Sequence, residues 1–430
     1  MSRSERTELK RELGLFEVTL SGVGIILGAG IYALIGKAAE LAGNSVWIAF
    51  ALAALIAIFT GLSYAELSSI FPRASAEYEY TDRAFGKRLA FVVGWLIIFS
   101  GVIGASTVAL GFGGYFEALT GAPILPSAVL LILALSMILL WGVKLSAWFA
   151  IVFTLIETAG LLIVIYVGIP HLGSVDYLQM PGGLTGVFEA AALIFFAYMG
   201  FEEMVKLSEE TKNPERNMPL ALIAALAITI ILYILVALSV VSVVPWEVLA
   251  ASSAPFAEVA AEALGPEAFV VISAIALFAT ANTVLLMLLA ASRIAYGMAE
   301  SSAMPDFLAR VHPKRRTPWT AIIVVMLLSM GFVFSGDIAF VASANDFILF
   351  STFVVINASL IYLRYKDPDR PRPFRVPLRI GTLPILPALG ILTSLFLISH
   401  LDGGAVLLGS AIALVGGVFA LVLRQKAGEV

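Results

Sequence analysis

Three glycines, Gly24, Gly28 and Gly30, interrupt the first long apolar segment of the chain. Each glycine inside a helix costs about 1 kcal/mol relative to alanine, so we expect the helix to open at this point. Opened backbone within a membrane is tolerated only where it is buried in protein or lines a cavity, and its free amides and carbonyls can then hold charged groups. Small residues also let neighbouring helices pack closely. The stretch is therefore either a binding site or a packing contact.

A second interruption lies between Phe195 and Glu203, where an apolar half-helix runs into charged residues within the length of one membrane span. The two interrupted segments are the first and the sixth span of the topology given below, and they are predicted to run in opposite directions. Broken helices in this relation are expected of inverted repeats that place a bound molecule near the membrane midplane. The pairing favours a binding site over a packing contact.

Glu157 is an ionisable residue in the middle of an apolar segment, ten residues from either end. Such residues inside a membrane are functional by default, and burial there favours the protonated carboxyl. The side chain is expected either to titrate as the protein works or to pair with a cation bound near Thr280, Asn282 and Thr283. The alternative is a permanently protonated carboxyl that bonds to a backbone carbonyl.

The composition shows what kind of chain must position these residues. Of its 430 residues, 60% are hydrophobic and only 13% are charged, and the mean hydropathy is +1.00, whereas soluble domains are only about half apolar. The apolar runs are about 20 residues long, which is the length of a membrane-spanning helix. We therefore expect an integral membrane protein built of helices. The absence of cysteine excludes a disulfide framework, a thiolate nucleophile and a cysteine-ligated metal.

Twelve spans follow from reading the apolar runs against the polar breaks. They cover residues 16–42, 46–70, 88–116, 127–143, 147–168, 184–206, 218–244, 267–297, 318–335, 339–363, 380–399 and 404–423. Residues 1–15 form a lead-in without the apolar core of a signal peptide, and residues 424–430 form a tail. We expect both termini in the cytoplasm.

This orientation places every Lys and Arg except Lys37 on the cytoplasmic side or at cytoplasmic helix ends, as the positive-inside rule favours. Glu66, Arg73 and Arg293 lie at such ends, where we expect conformational latches or interface anchors. Two connections, residues 245–265 outside and 301–312 inside, have helical spacing. Each is expected to be a surface helix or a lid.

Four motifs occur in order along the chain. They are Val23 to Tyr32; Tyr64 to Leu67 with Phe71-Pro72-Arg73; Phe195 to Glu202 followed by Glu209 to Pro219; and Arg293 to Pro305 leading to Thr317-Pro318. With them the chain resembles, over nearly its whole length, the amino acid, polyamine and organocation transporter superfamily, most closely its prokaryotic cationic-amino-acid-transporter-like branch.

The resemblance implies an all-α integral membrane fold with twelve transmembrane helices, of which helices 1 and 6 are broken. Residues 16–168 and 184–363 would be two inverted five-helix repeats similar to those of the bacterial leucine transporter, and residues 380–423 would be two additional helices. It also implies a multi-pass protein of the plasma membrane that moves amino acids by alternating access.

The sequence departs from the family at several positions. Ala29 stands where relatives usually carry Ser or Thr, and Ser75 and Ala76 stand where they carry two glycines. Alignment of residues 142–147 with the start of the family's fifth helix places Glu157 where relatives often have a buried lysine, which is thought to replace a sodium ion and carry a proton. A carboxylate there reverses the charge.

The proposed site holds an amino acid mainly through backbone groups. Amides at the start of the second half-helix would face the substrate carboxylate, and carbonyls at the ends of the first half-helices would take its ammonium. The amides are those of Gly28, Ala29, Gly30 and Ile31, and the carbonyls are those of Ile25, Ile26, Phe195, Phe196 and Ala197. Phe196, Met199, Gly200 and Phe201 would shape the side-chain pocket, although ordinary helix packing also explains each aromatic residue.

The expected function is proton-coupled symport of neutral amino acids, with sodium as the other candidate coupling ion. The alternatives are an exchanger of amino acids or polyamines and, in a different class, a channel or membrane sensor on the same fold. No nucleotide-binding loop, metal-ligand spacing, nucleophile motif or basic domain is found. We therefore expect no enzyme activity, metal, cofactor or nucleic-acid partner. The expected partners are an amino acid or amine and the lipid bilayer, around a monomer or homodimer.

Overall fold

The computed structural model describes residues 11–72, 75–142, 147–300 and 304–427. Most of the predicted lead-in, Arg73, residues 143–146 of the alignment that places Glu157, residues 301–303 and the last three residues of the tail lie outside this range. The helices are α1 Leu15–Leu27, α2 Gly30–Ala42, α3 Val46–Ile70, α4 Ala76–Phe85, α5 Lys87–Thr120, α6 Ile124–Trp141, α7 Ala147–Gly168, α8 Gly183–Ile194, α9 Phe201–Met204, α10 Pro214–Val243, α11 Trp246–Ala251, α12 Pro255–Leu264, α13 Pro266–Glu300, α14 Trp319–Val333, α15 Ile338–Lys366, α16 Ile385–Ile398 and α17 Gly403–Ala427. The strands are β1 Arg379–Ile380 and β2 Leu383–Pro384.

The helices have the length and composition of an all-α membrane protein, as predicted. Nine stretches of the described chain are long and apolar enough to cross a membrane, and the first of them runs from Gly30 to Ile70 through α2 and α3. The helices Leu15–Leu27, Trp319–Val333 and Ile385–Ile398 are apolar but shorter.

Apolar side chains cover the outside of the bundle as well as its inside. Leu130 on α6, Tyr166 on α7 and Leu407 and Leu414 on α17 are all exposed, which suits a surface in contact with hydrocarbon rather than water. Polar groups inside the bundle pair across helices: the Ser63 hydroxyl on α3 donates to the Asn357 amide oxygen on α15 at 2.6 Å.

Both predicted helix breaks are present. The first span divides into α1 and α2 at Gly28 and Ala29, and the sixth passes from α8 through a 3₁₀ turn, Phe195–Tyr198, into the short helix α9. Between the 3₁₀ turn and α9, Met199 is extended and Gly200 has a φ of 115°, which is a conformation that favours glycine.

Three connections differ from prediction. Residues 245–265 form two helices, α11 and α12, rather than one. Residues 304–312 contain only a 3₁₀ turn, Asp306–Ala309, because Pro305 lacks the amide that would continue a helix. Residues 380–384, predicted to begin the eleventh span, belong to the β1–β2 hairpin, which turns at Gly381 with a φ of 61°.

Helix α4 was not predicted, since it is short and polar. We use the name basic face for the end of the bundle that carries α4, the 3₁₀ turns Val205–Glu209 and Asp306–Ala309, and the β1–β2 hairpin. Helices α11 and α12 lie at the opposite face. There, Phe256 of α12 packs edge-on against Tyr32 of α2 with ring centroids 4.9 Å apart.

Glu66 lies in a buried ion cluster at the basic face. Its side chain is 0% exposed, and it accepts hydrogen bonds from Arg364 through both carboxylate oxygens, from Arg372 at 3.1 Å and from the Val376 amide at 2.7 Å. Arg364 is itself 1% exposed. The cluster joins α3, α15 and the segment that precedes β1.

The chain before α1 is bound to the segment between α9 and α10. The Lys212 amide donates to the Leu13 carbonyl at 2.8 Å, and the amides of Glu12 and Leu13 donate to the Glu210 carbonyl. Backbone hydrogen bonds therefore connect the two halves of the broken spans that lie toward the basic face, α1 and α9.

Candidate functional site

The three glycines of the first span have different roles. A β-carbon at Gly24 would collide with the Thr154 side chain of α7, and one at Gly30 would lie 2.9 Å from the Ala197 α-carbon. A β-carbon at Gly28 would meet only ordinary contacts, the nearest being the Thr283 hydroxyl at 3.7 Å, but its φ is 32°. Gly24 and Gly30 thus allow close packing, whereas Gly28 allows the break.

The second break lies directly against the first. A β-carbon at Gly200 would stand 2.7 Å from the carbonyl oxygen of Ile25. The Gly200 amide donates to the Glu202 carboxylate at 3.0 Å, which satisfies an amide at the start of α9. The two interruptions therefore form one region of irregular backbone inside the bundle.

A cavity of about 390 Å³ extends from this region toward the basic face. Its volume falls within the range of about 300–1,000 Å³ that is typical of small-molecule sites. Of the predicted substrate-site residues, it is lined by Ile25, Gly28, Met199 and Gly200, and of the predicted coupling residues by Glu157, Asn282 and Thr283. The residues that surround Phe256 and Tyr32 on the opposite side are buried.

The predicted amide site is partly occupied by a side chain. The Ala29 amide donates to the Thr283 hydroxyl of α13 at 3.1 Å. The amides of Gly30 and Ile31 lie in the first turn of α2, where amides have no acceptor within their own helix. Both residues are buried in this conformation, and neither is among the residues that line the cavity.

Tyr233 of α10, which sequence reasoning missed, fills much of the predicted ammonium site. Its buried hydroxyl lies 3.0 Å from the Ile26 carbonyl oxygen, 2.8 Å from that of Leu27 and 2.9 Å from that of Ala197. A hydroxyl has only one proton to donate, so three acceptors share it. An ammonium with three donors is the better match for such a cluster.

We expect Tyr233→Phe to lower the apparent melting temperature of the purified protein. Removal of the hydroxyl leaves buried carbonyls without a donor, which costs about 1–3 kcal/mol. The exposed Tyr166 on α7 gives a matched control, and Tyr166→Phe should leave the melting temperature unchanged. Equal melting temperatures for the two variants would contradict the role given to the Tyr233 hydroxyl.

Glu157 is held between the first break and α13. Its side chain is 2% exposed, and its Oε1 accepts from the Asn282 amide at 3.3 Å. The Tyr32 hydroxyl donates to its backbone carbonyl at 2.7 Å. Asn282 is thus the predicted partner that contacts Glu157, while the Thr280 hydroxyl donates to the Ala276 carbonyl of its own helix.

The aromatic residues predicted for the side-chain pocket are packed. The Phe196 ring lies against Gly30, and Phe201 contacts Tyr64 and Phe353 with ring centroids 5.8 Å and 5.3 Å away. The packing interpretation therefore accounts for both rings in this conformation, and of the predicted pocket residues Met199 and Gly200 line the cavity.

Acidic side chains surround the end of the cavity nearest the basic face. Glu77 on α4 is buried beside the ion pair of Glu203 and Lys206. Burial raises the pKa of the Glu77 carboxyl above its ordinary value, and Lys206 opposes this rise. Together with Glu157 and Glu202, four carboxyl groups and one lysine line the cavity.

Asp346 of α15 is a second carboxyl that sequence reasoning missed. It is fully buried, and no hydrogen-bond partner for either carboxylate oxygen is present among the described residues. The rule that singled out Glu157, an ionisable residue deep in an apolar span, also applies to it. Among all residues that the structure describes, no group of three or more His, Asp or Glu side chains is arranged to hold a metal ion.

Known proteins resemble this chain over most of its length. The family model described as amino acid permease matches residues 13–417. The branched-chain amino acid permease BcaP of Bacillus subtilis (strain 168) is 33% identical over 421 residues, which cover 93% of this chain and 90% of the relative. The methylthioribose transporter of the same organism is 34% identical over 414 residues, with 90% and 88% covered. The vacuolar cationic amino acid transporter 4 of Arabidopsis thaliana is 29% identical over 388 residues, with 84% and 64% covered.

Proposed function

The chain belongs to the amino acid permease family, within the amino acid, polyamine and organocation superfamily, and on this premise we propose that it carries neutral amino acids in symport with protons. It is a multi-pass membrane protein of amino acid transport. The observation that carries the proposal is the meeting of two broken helices at one cavity. Such a site binds the charged ends of an amino acid through backbone dipoles.

We propose twelve membrane spans in two inverted repeats, residues 16–168 and 184–363, with two further helices in residues 380–423. In this topology α1 with α2 and α8 with α9 are the corresponding broken spans. The concentration of Lys and Arg at one face supports cytoplasmic termini, and we propose the plasma membrane as the location. The cavity then faces the cytoplasm, and α11 and α12 close the outer side.

Within this site the substrate carboxylate would bind the amides at the start of α2. Its ammonium would bind the carbonyls of Ile26 and Ala197 and displace the Tyr233 hydroxyl from them. This replacement couples substrate binding to α10. Glu157, on the other side of α1, would carry the coupled proton, with sodium as the other candidate ion.

A second candidate function is the exchange of cationic amino acids or polyamines. The observation in its favour is the acidic wall of the cavity, where Glu77, Glu157, Glu202 and Glu203 stand against Lys206. An excess of carboxyl groups attracts a cation. A channel or sensor on the same fold is the alternative from a different class.

Reconstitution in liposomes tests these functions. Saturable accumulation of labelled L-leucine under an imposed proton gradient is the expected result for symport. Counterflow that does not depend on the proton gradient would indicate exchange. The same assay with L-arginine and putrescine would identify a cationic substrate. Ion currents far above the turnover of a transporter would instead indicate a channel.

The chemical class of the substrate can be identified without an imposed proton gradient. A ligand that binds the folded state raises its melting temperature by mass action, so a thermal-shift panel of the twenty amino acids and common amines should give the largest shift with the transported class. Proton-driven accumulation without a matching thermal shift would contradict the proposed site.

A further inference from the structure

The Asn345–Asp346 pair of α15 lies beside the break of the sixth span. The Asn345 side-chain amide donates to the Met199 sulfur at 2.9 Å, and its oxygen has no partner among the residues that the structure describes. Asp346 lies eight residues after the start of α15, about 12 Å along the helix axis. One turn further on, Leu349 lines the cavity. The pair therefore stands one turn of α15 away from the cavity lining.

The surroundings of Asp346 provide no positive charge within the described chain. Its carboxyl faces the amide of Phe196 without completing a hydrogen bond. The elements packed against α15 include α2, α3, α4, α5, α8, α16, α17, β2 and the 3₁₀ turn Phe195–Tyr198. Their buried ionisable side chains in the described chain are tyrosines and carboxyls, none of which is a cation: Tyr32, Tyr64, Tyr80, Tyr115, Tyr198, Glu66 and Glu77. Arg364, the buried cation of α15 itself, lies 18 residues further along the helix and is paired with Glu66. A buried carboxylate without a counter-charge is far more costly than the neutral acid.

We propose that Asp346 is a proton-binding site, distinct from Glu157, which holds its proton while the substrate site is empty. Glu157 lies beside the break of the first span and Asp346 beside the break of the sixth. The proposal rests on the proposed function, which places the substrate ammonium on the carbonyls of Ile26 and Ala197. Ala197 directly follows Phe196, whose amide the Asp346 carboxyl faces.

The two ligands are linked through charge. An ammonium on those carbonyls lies next to the Asp346 carboxyl and stabilises its ionised form. Substrate binding therefore favours release of the proton, and by reciprocity the bound proton weakens substrate binding. Asp346 thereby determines how substrate affinity depends on pH, whereas Glu157 couples substrate movement to the proton gradient.

Infrared spectroscopy of the substrate-free protein tests the proton site directly. Wild-type protein at neutral pH should show the carbonyl stretch of a protonated carboxyl, and Asp346→Asn should remove intensity from this band. Glu157→Gln is measured in parallel to separate the two carboxyls, and Glu262→Gln, at an exposed residue of α12, should leave the band unchanged. An identical band in wild type and Asp346→Asn would overturn the proposal.

Substrate affinity provides the second test. Binding of labelled L-leucine should be about tenfold weaker at acidic than at alkaline pH, a ratio typical of two coupled sites, and Asp346→Asn should abolish this dependence. The same pH dependence in the variant would overturn the linkage. If the variant does not fold, wild-type protein still decides the matter, since saturating L-leucine should weaken the infrared band and an unchanged band would count against Asp346.

These results are separable from the proposed function. Failure of wild-type protein to accumulate L-leucine under a proton gradient would reject symport, yet the loss of the infrared band in Asp346→Asn would still support the proton site. Conversely, full accumulation by wild type with no infrared change in the variant would retain symport and reject Asp346.

Discussion

The substitution Glu157→Gln should abolish proton-driven accumulation of substrate while it preserves counterflow. Glutamine keeps the size of the side chain and an oxygen that can accept from the Asn282 amide, which now lies 3.3 Å from the carboxylate. It cannot bind or release a proton. We expect accumulation under an imposed proton gradient to fall to the level of facilitated equilibration, since the driving force is no longer connected to substrate movement.

The assay needs a substitution of the same chemistry at a site outside the cavity. Glu262→Gln on α12 provides it because the Glu262 side chain is exposed, and its accumulation should match that of wild type. Retention of full proton dependence by Glu157→Gln would show that Glu157 is a permanently protonated structural residue.

The largest loss of stability is expected for Glu66→Ala. The substitution leaves Arg364 and Arg372 buried without their carboxylate, and removal of one partner from a buried ion pair costs about 3–5 kcal/mol. The apparent melting temperature in detergent should fall strongly, and the yield of folded protein should fall with it.

Glu79 on α4 provides the matched comparison. Its pair with Arg83 is partly exposed, and such pairs contribute at most about 1 kcal/mol. Glu79→Ala should therefore change the melting temperature little. Similar losses for the two variants would mean that the buried cluster is no more stabilising than a surface pair.

The breaks were predictable because they depend on local chemistry. Gly28 with its φ of 32° and Gly200 with its φ of 115° are positions that only glycine adopts easily, and charged residues follow the second one directly. The packing roles of the other glycines were not predictable. Gly24 packs on Thr154, which is 130 residues away in sequence. A contact between residues so far apart cannot be inferred from a single sequence.

The remaining site residues were missed for two different reasons. Tyr233 lies in an ordinary apolar helix, and its role arises from three carbonyls that the fold brings to it. Glu77 stands on α4, a polar helix too short to give an apolar period. Asp346, in contrast, carries the same signal as Glu157, a lone carboxyl within a long apolar run, and could have been found from the sequence.

The backbone bridge between Leu13 and Lys212 has a mechanical consequence. It fastens the start of α1 to the segment that follows α9, so a force that swings one lower half-helix outward also pulls on the other. We therefore expect α1 and α9 to move together rather than independently. In the proposed transport cycle, we therefore expect the entrance at the basic face to open in one concerted step.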